Sequence, residues 1–365
     1  MNLTAPDEFF NHQVAYPHAV VSNSDPAWRE RYWISLHDVV QRNFILSAGF
    51  GKYPNQDVME AFVIVQHGST QRNLRLSRQL TPGSDQMAVG CFSVEVVEPL
   101  KTLRFRLGAN PSGILADFTW HASMPAMLEH KHFEVSRTRV SHDLIRYVQL
   151  GRISGQASTP EGQFVFTPES TWAERDHSWG VRPMAAVAGE PPVASVAWNF
   201  LAFCPLQFST FALHFYLFES QQGRPTHLSA CMVHADGKPA QQINWLDHDL
   251  EWVADAPVKT LKGGRVTLHF DDGRSLLVEL SALPPRVYLR GGGYGVDQGR
   301  WKGETHLEHE AWDLSVAADL KGYAASSADH MLEARCAGES GFGIIEYMVR
   351  RGHQRYGGGG ARPPA

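Results

Sequence analysis

Short runs in which apolar and polar residues alternate, separated by turn residues, recur along most of this 365-residue chain. Alternation with a period of two is typical of β-strands that have one buried and one solvated face. The runs are rich in β-branched and aromatic residues, which favour strands. They cover residues 58–66, 88–97, 102–107, 163–167, 195–203, 210–219, 266–270, 275–280 and 343–349.

Turn residues separate these runs, and the clearest signal is the Asp272-Gly273 pair between two alternating segments. Such a pair predicts a β-hairpin. Helical periodicity is scarce, and one short helix is predicted from Pro26 through the segment WRERYWISL. Regularly spaced strands without intervening helices predict an all-β protein made of antiparallel barrels or strongly curved sheets.

The length of the chain suits two domains better than one compact core. A stretch rich in proline and glycine, Ala188-Gly189-Glu190-Pro191-Pro192, lies near the midpoint. We therefore predict an N-terminal barrel over residues 1–187 and a C-terminal barrel over residues 188–356. The remaining segment, residues 357–365, is dominated by glycine and proline and is predicted to be a flexible tail.

Charge, hydrophobicity and cysteine spacing limit which kinds of molecule the protein is expected to bind. The formal net charge is -5 and basic residues are scattered, which argues against binding to nucleic acid or to an anionic membrane. No run approaches the roughly 18–20 apolar residues of a membrane helix, and no signal peptide is visible. The four cysteines form no CxxC pair, as expected of reduced thiols. We expect a cytoplasmic protein whose partner is a hydrophobic small molecule; the oligomeric state is left open.

The densest polar cluster covers residues 174–182, ERDHSWGVR. On a strand, Asp176 and Ser178 share one face, and Arg175, His177 and Trp179 share the other. One interpretation places Asp176 or His177 in a cavity as proton donor or acceptor, because burial shifts the pKa of such groups. The other is a structural corner in which an arginine pairs with Asp176.

This cluster also carries a family resemblance. The phrase RDHSWG, together with RYVQLGRISG before it and RGGGYGVDQGRWKG, ADHMLEAR and GFGIIEYMVRRGH in the C-terminal half, resembles the AttH-like and hydroxyneurosporene-synthase-like proteins of the calycin superfamily. The resemblance extends roughly from residue 25 to 355. It implies two lipocalin-like barrels in tandem. It also implies hydration or cyclisation of hydrophobic substrates without a metal or redox cofactor.

We accordingly expect a cofactor-independent hydratase, isomerase or cyclase acting on an isoprenoid, steroid-like or polyketide molecule held in a barrel cavity. Asp176 is the leading proton donor, and His177 is a second acid/base or a hydrogen-bonding group that orients the substrate. The expected substrate-binding residues are Trp179, Arg182, Arg175, Trp198, His214 and Trp301. The alternative is a carrier that binds such a molecule without turnover.

A third hypothesis, a metal-dependent oxygenase, depends on two histidine clusters. His130, His132 and Glu134 line one face of a possible strand, and so do His306, Glu308 and Glu310. The first set has the residue types of a facial triad of two histidines and one carboxylate, whereas the second lacks one histidine. The competing interpretation is cross-strand polar pairing on a solvated face. We predict no metal and no cofactor.

Overall fold

The computed structural model describes residues 14–83, 85–136, 138–184 and 198–357. Its N-terminal half is one curved antiparallel sheet. The strands of this half are β1 (Trp28–Asp38), β2 (Phe44–Tyr53), β3 (Val58–His67), β4 (Thr70–Gln79), β5 (Ala88–Val89), β6 (Phe92–Glu98), β7 (Thr102–Leu107), β8 (Leu115–Ala122), β9 (Met127–Leu128), β10 (His132–Ser136), β11 (Arg139–Thr159), β12 (Gly162–Phe166) and β13 (Thr171–Val181).

The C-terminal half is a closed eight-stranded barrel. The strands of this half are β14 (Phe200–Gln207), β15 (Phe211–Glu219), β16 (Pro225–His234), β17 (Gln241–Trp252), β18 (Leu261–Phe270), β19 (Ser275–Tyr288), β20 (Thr305–Asp313), β21 (Ala328–Cys336) and β22 (Glu339–Val349). All of them except β20 form the barrel, in chain order, and β22 closes it against β14. One seven-residue helix, α1 (Ala317–Tyr323), lies between β20 and β21. Within the described ranges no helix is long and apolar enough to cross a membrane.

The strand β20 leaves the barrel and joins the N-terminal sheet. It pairs antiparallel with β4 along its whole length, and the sheet then runs β20-β4-β3-β2-β1-β13-β11-β8-β7-β6-β5. By pairing, residues 305–313 therefore belong to the sheet of the first half, although the sequence assigned them to the C-terminal barrel. The predicted boundary at residues 188–192 and the tail beyond residue 357 lie outside the described residues and stay predictions.

The predicted all-β class is confirmed. Strands account for 61% of the structure and helices for 4%, with one closed barrel and one half-barrel sheet. The hairpin predicted at Asp272-Gly273 connects β18 to β19, and Gly273 has the positive φ of 83° that such a turn requires.

The helix predicted from Pro26 is wrong, because the segment forms β1. Arg29, Arg31 and Trp33 of this strand are all buried and alternate with less buried residues. The strand pairs with β2 on one side and β13 on the other, and these pairings override a weak helical pattern.

The three largest hydrophobic clusters of the described residues fill the two halves and the space between them. One fills the concave side of the N-terminal sheet, a second fills the barrel, and the third joins the outer faces of the two halves. The strands β14 and β15 are buried at every position, since their inner faces line the barrel and their outer faces meet the sheet. By contrast, β17 and much of β18 alternate, as expected where one face meets solvent.

Candidate active site between the two halves

A cavity of about 320 Å³ lies between the two halves of the molecule. Its walls come from β1, β11 and β13 on one side and from β14, β15 and β22 on the other, with aromatic side chains such as Phe203, Tyr216 and Phe218. We expected the cavity inside a barrel, but apolar side chains such as Phe215 and Leu268 fill the barrel interior. The volume and the mixed apolar and polar lining are typical of small-molecule sites.

The alternation of β13 decides which residues of the RDHSWG segment reach this cavity. Asp176 lines it, and its pairing partners Trp33 on β1 and Val148 on β11 share its face. Ser178, two residues further along the same face, pairs with Arg31 on β1 and Arg146 on β11. The segment therefore presents a carboxyl group flanked by arginines from both neighbouring strands.

The other three residues of the segment point away from the cavity. The Nε2 atom of His177 lies 2.9 Å from Glu30 Oε1, and its Nδ1 atom lies 3.3 Å from the Tyr147 hydroxyl. Trp179 packs edge-on against His177, with ring centroids 5.4 Å apart. Arg175 also lies on this face. The acid/base role expected of His177 and the substrate contacts expected of Arg175 and Trp179 thus have no counterpart in the cavity lining.

Arg175 is instead enclosed by the N-terminal sheet. Its Nη2 donates to Gln149 Oε1 at 2.7 Å, and its guanidinium lies 4.5 Å from the Trp120 ring. A buried arginine with these partners stabilises the packing of the sheet rather than binding a ligand.

Asp176 and Arg146 are close neighbours in the cavity wall, with 3.6 Å between Asp176 Oδ2 and Arg146 Nη1. Asp176 is 8% exposed. Burial raises the pKa of its carboxyl group and outweighs the opposing attraction of Arg146 and Arg182. The side chain therefore retains a proton above the usual pH range of an aspartic acid.

Arg146 is fixed by partners on its far side. Its Nε donates to Glu129 Oε1 at 2.9 Å, and the same oxygen accepts from His214 Nε2 at 2.7 Å. The guanidinium also lies 4.0 Å from the ring of Tyr216. Burial favours a protonated Glu129, but the Arg146 and His214 contacts prevail and hold its pKa below the usual value. His214, expected to bind substrate, is buried behind the wall and positions Glu129 and Arg146.

A second carboxyl group, Glu346 of β22, faces Asp176 from the barrel side of the cavity. Burial raises its pKa against an opposing hydrogen bond to Ser327, and burial also raises the pKa of its pairing partner Asp329 well above the usual value. Sequence reasoning missed Glu346, whose signal was a single carboxylate in the otherwise apolar segment GIIEYMV.

Four further arginines line the cavity: Arg29, Arg31, Arg182 and Arg350. Only Arg182 was expected from the sequence. Arg29 and Arg31 were missed because their alternation on β1 was taken for part of a helix. Arg31 is 2% exposed and Arg29 is 5% exposed, so both charges are removed from solvent.

The other two tryptophans expected to bind substrate, besides Trp179, have different positions. Trp198 is buried, lines the cavity and packs under Arg350, whose guanidinium lies 3.8 Å from its ring. Trp301 is 51% exposed and does not line the cavity.

The histidine cluster forms with a different membership from that expected. His132, Glu134 and His142 have ligand atoms within 4.8 Å of one another, whereas His130 is exposed and lies outside the group. The His132 ring stacks on His142 at 4.3 Å and on His227 at 4.1 Å, with interplanar angles of 12° and 15°. The cluster is therefore held partly by face-to-face contact of its imidazole rings.

Glu134 Oε2 lies at the edge of two of these rings, 3.1 Å from His142 Nδ1 and 3.7 Å from His132 Nε2. The second expected cluster is a network of ion pairs, in which Glu308 binds Lys302 at 2.6 Å and Arg75 at 2.9 Å. The absence of a metal from both clusters stays a prediction.

Another cavity, of about 350 Å³, lies beside β8, β11 and β12. Its one carboxylate, Asp117, is engaged by Arg104 through two hydrogen bonds of 2.9 and 2.8 Å. This cavity therefore lacks a group free to exchange a proton, and the interdomain cavity is the stronger candidate.

The fold and the site define an all-β protein of two packed halves, with a cavity between them that contains two buried carboxyl groups. The chain belongs to a family of unknown function, DUF8625, whose model matches residues 3–358. No curated protein sequence matches it.

Solved structures share its architecture. The AttH candidate from Nitrosomonas europaea is 12% identical with a TM-score of 0.57, and the alignment covers 89% of this chain and 93% of that one. CghA, crystallised with Sch210972, is 11% identical with a TM-score of 0.51 and 89% of each chain covered. Kievitone hydratase from Nectria haematococca is 12% identical with a TM-score of 0.49, covering 87% and 88%. The resemblance to AttH-like proteins is therefore confirmed for the fold.

Proposed function

We propose that this protein is a cofactor-independent hydratase, isomerase or cyclase that acts on a hydrophobic small molecule in the interdomain cavity. The observation that carries the proposal is the buried carboxyl group of Asp176, 3.6 Å from Arg146 in a cavity with aromatic walls, whose pKa burial raises. A carboxylic acid kept neutral by burial is able to donate its proton to a weakly basic substrate. CghA, which shares the fold, holds a small organic molecule, Sch210972, in its crystal structure.

The chemistry begins with transfer of the Asp176 proton to a carbon–carbon double bond or a carbonyl oxygen. The positive charge that develops lies beside the aromatic lining that includes Phe218, because the rings of Phe203 and Tyr216 already face the Arg146 guanidinium. In a hydration, a solvent water adds to the cation and returns a proton to the Asp176 carboxylate. In an isomerisation, a neighbouring carbon of the substrate returns that proton instead. The acid is regenerated in both cases and no redox partner is needed.

Arg146 has a positioning role in this scheme. Held by Glu129, it lies beside Asp176 and stabilises the carboxylate that remains after proton transfer. Its attraction is insufficient to ionise Asp176 in advance, because burial prevails. Glu346, on the opposite wall, is the second group able to give or take a proton.

The test compares the intact protein with Asp176→Asn after incubation with a hydrophobic metabolite extract, read by untargeted mass spectrometry and absorbance. The amide keeps the shape of the side chain and removes its acidic proton. We expect the intact protein to produce compounds that differ by one water molecule, or isomers with altered absorbance. Asp176→Asn should reduce that turnover by roughly 10²–10⁴-fold, the usual contribution of general acid–base catalysis.

Asp117→Asn is the matched control, because Asp117 is an exposed aspartate in a surface ion pair with Arg104. It should turn over the same compounds at the rate of the intact protein. If Asp176→Asn is equally active, Asp176 is not the acid. If the intact protein retains extract compounds without converting any, the protein is a carrier and the proposal of an enzyme is wrong.

A further inference from the structure

The cavity holds more positive charge than its own carboxyl groups neutralise. Among the described residues, Arg29 and Arg182 have no carboxylate within ion-pair distance. The nearest carboxylate oxygen to Arg31 is Glu60 Oε1, at 4.0 Å from its Nη2. Glu60 is already engaged, since it accepts from the Tyr53 hydroxyl at 2.6 Å and from the Gly299 amide at 2.7 Å.

Arg31 is the least exposed of these three arginines. It is 2% exposed, and none of its three guanidinium nitrogens has a hydrogen-bond partner among the described residues. Tyr294 and Phe62 lie against its guanidinium, at 5.1 and 6.0 Å from their ring centroids, so its planar faces are covered. The donors at the edge of the group remain unused, and buried donors without acceptors are rare and costly.

The neighbouring arginines are also short of acceptors. Arg29 uses Nη2 to donate to the Pro183 carbonyl at 3.0 Å, while its Nε has no partner among the described residues. The Nε of Arg182 is buried without a described partner. Burial, followed by repulsion from Arg182, lowers the pKa of Arg29 to about 9. The three cations therefore repel one another within one enclosed region.

The carboxyl groups of the cavity offset this repulsion only in part, through the attraction of Asp176 to Arg31 and of Glu346 to Arg182. Burial raises the pKa of both Asp176 and Glu346, which favours their neutral forms. Arg146 is compensated separately by Glu129. Donors that are unpaired, cationic and directed into a cavity are the chemistry that recognises a carboxylate or phosphate.

We propose that Arg29, Arg31 and Arg182 bind the oxyanionic head group of an amphipathic substrate, a carboxylate or phosphate carried on a hydrophobic body. The inference rests on the proposed function, since it names the substrate class of the same cavity. Trp198, Phe203 and Phe218 contact the hydrophobic body. The substrate is therefore an acid and not a neutral hydrocarbon.

The strand geometry also gives the distance between head group and reacting bond. Asp176 pairs with Trp33, and Arg31 and Arg29 follow on the same face two and four residues away along β1. Residues on a strand advance about 3.3 Å each, so the head group lies roughly 7–13 Å from the proton donor. The bond that Asp176 protonates is several carbons from the anionic end.

A pair of fluorescent probes tests the inference without knowledge of the natural substrate. 1-Anilinonaphthalene-8-sulfonate carries an anionic sulfonate, and N-phenyl-1-naphthylamine is the same skeleton without it. We expect the intact protein to bind the anionic probe roughly ten- to a hundredfold more tightly, the range expected for hydrogen bonds to charged groups. Displacement by dodecanoate, its methyl ester and dodecyl phosphate then distinguishes a carboxylate ligand from a phosphate ligand, with the ester inactive.

Three variants locate the binding. Arg182→Gln, at a partly exposed position, and Arg31→Gln should each weaken the anionic probe about tenfold and leave the neutral probe unchanged. Arg106→Gln, at an exposed arginine paired with Glu95, is the control and should change neither. Arg182→Gln keeps the test valid if Arg31→Gln fails to fold.

The inference is overturned if the neutral probe binds as tightly as the anionic one, or if the arginine variants weaken both probes equally. These outcomes are separate from the test of catalysis. Anion-selective binding without turnover would support the arginine site and contradict the proposed catalysis. Turnover of neutral compounds without anion selectivity would support the catalysis and contradict the arginine site.

Discussion

Asp176 Oδ2 lies 3.6 Å from Arg146 Nη1, and both side chains are buried in the cavity wall. Arg146 has a closer partner in Glu129, at 2.9 Å on its far side, and burial raises the pKa of Asp176 against the attraction of Arg146. The contact therefore joins a cation to a carboxyl group whose protonated form burial favours. In the proposed reaction, Arg146 stabilises the carboxylate that remains when Asp176 gives up its proton.

This relationship predicts different stabilities for two variants. Arg146→Met should lower the free energy of unfolding by about 3–5 kcal/mol, because it leaves the buried Glu129 without its cation. Asp176→Asn should change it by less than about 1 kcal/mol, because burial already favours the neutral form of the side chain it replaces. Urea unfolding of both variants measures the difference. Equal, large losses would mean that Asp176 is an anion paired with Arg146.

The histidine stack predicts a loss of stability in mild acid. Burial is the main cause that lowers the pKa of His132 to about 2, of His142 to about 3 and of His227 to about 4. The neighbouring rings add to the effect at His132 and two arginines add to it at His142, whereas Glu129 opposes it at His227. In the unfolded chain these rings titrate near pH 6.5. Below that pH the unfolded state therefore binds more protons than the folded state, and the folded state loses stability. Stability should fall by up to about 1.4 kcal/mol per pH unit for each ring.

Urea unfolding at pH 7.5 and pH 5.5 measures this effect. His227→Phe keeps a stacked ring, removes one titrating group and should reduce the pH dependence. His121→Gln, at an exposed histidine, should leave it unchanged. A protein as stable at pH 5.5 as at pH 7.5 would contradict the depressed pKa values.

Gly180, which ends the RDHSWG segment, is expected to tolerate no side chain. Its φ is 127°, and an added Cβ would lie 2.0 Å from the Asp143 carbonyl oxygen of the paired strand. Gly180→Ala should therefore cost about 2–4 kcal/mol in thermal or urea unfolding. Gly237→Ala is the comparison, because Gly237 also has a positive φ but meets nothing within 4 Å. It should cost about 1 kcal/mol, and equal losses would remove the steric argument.

Elemental analysis is expected to find no stoichiometric metal in protein purified without chelators. The His132, Glu134 and His142 ligand atoms lie within 4.8 Å of one another, but His142 Nδ1 is already paired with Glu134 at 3.1 Å and the two rings stack on each other. Titration with Zn²⁺ should likewise give no saturable site of micromolar affinity. One metal per chain, lost in His142→Gln, would overturn this expectation.

The sequence predicted most of the strands and the position of Asp176 because both follow from the alternation of neighbouring residues along a strand. A period of two identifies a strand, and the same period separates Asp176 from Arg175 and His177 once β13 is known. What the pattern leaves open is which face meets the cavity. Packing against the barrel decides this, because it places the face of Asp176 at the cavity. His177, on the opposite face, forms hydrogen bonds with Glu30 and Tyr147 instead.

The residues that sequence reasoning missed come from distant segments. Glu346 reaches the cavity from β22, and Arg31 reaches it from β1, a strand that was taken for a helix. Their local signals were a lone carboxylate in an apolar run and two arginines at alternate positions. Neither signal identifies a site residue by itself. Long-range packing of the strands is what brings both residues to the cavity that Asp176 lines.

The pairing of β20 with β4 has a consequence for how the protein is made. Thr305 lies opposite Arg78 and Asp313 opposite Thr70. The strand β4 is therefore synthesised more than 200 residues before its pairing partner β20. Until residues 305–313 leave the ribosome, β4 is an open edge able to accept a strand from another chain. A fragment ending at residue 187 would keep that edge permanently, and is expected to self-associate. In the 365-residue chain this late strand links the first half to the second, and we expect the two halves to unfold in one cooperative transition.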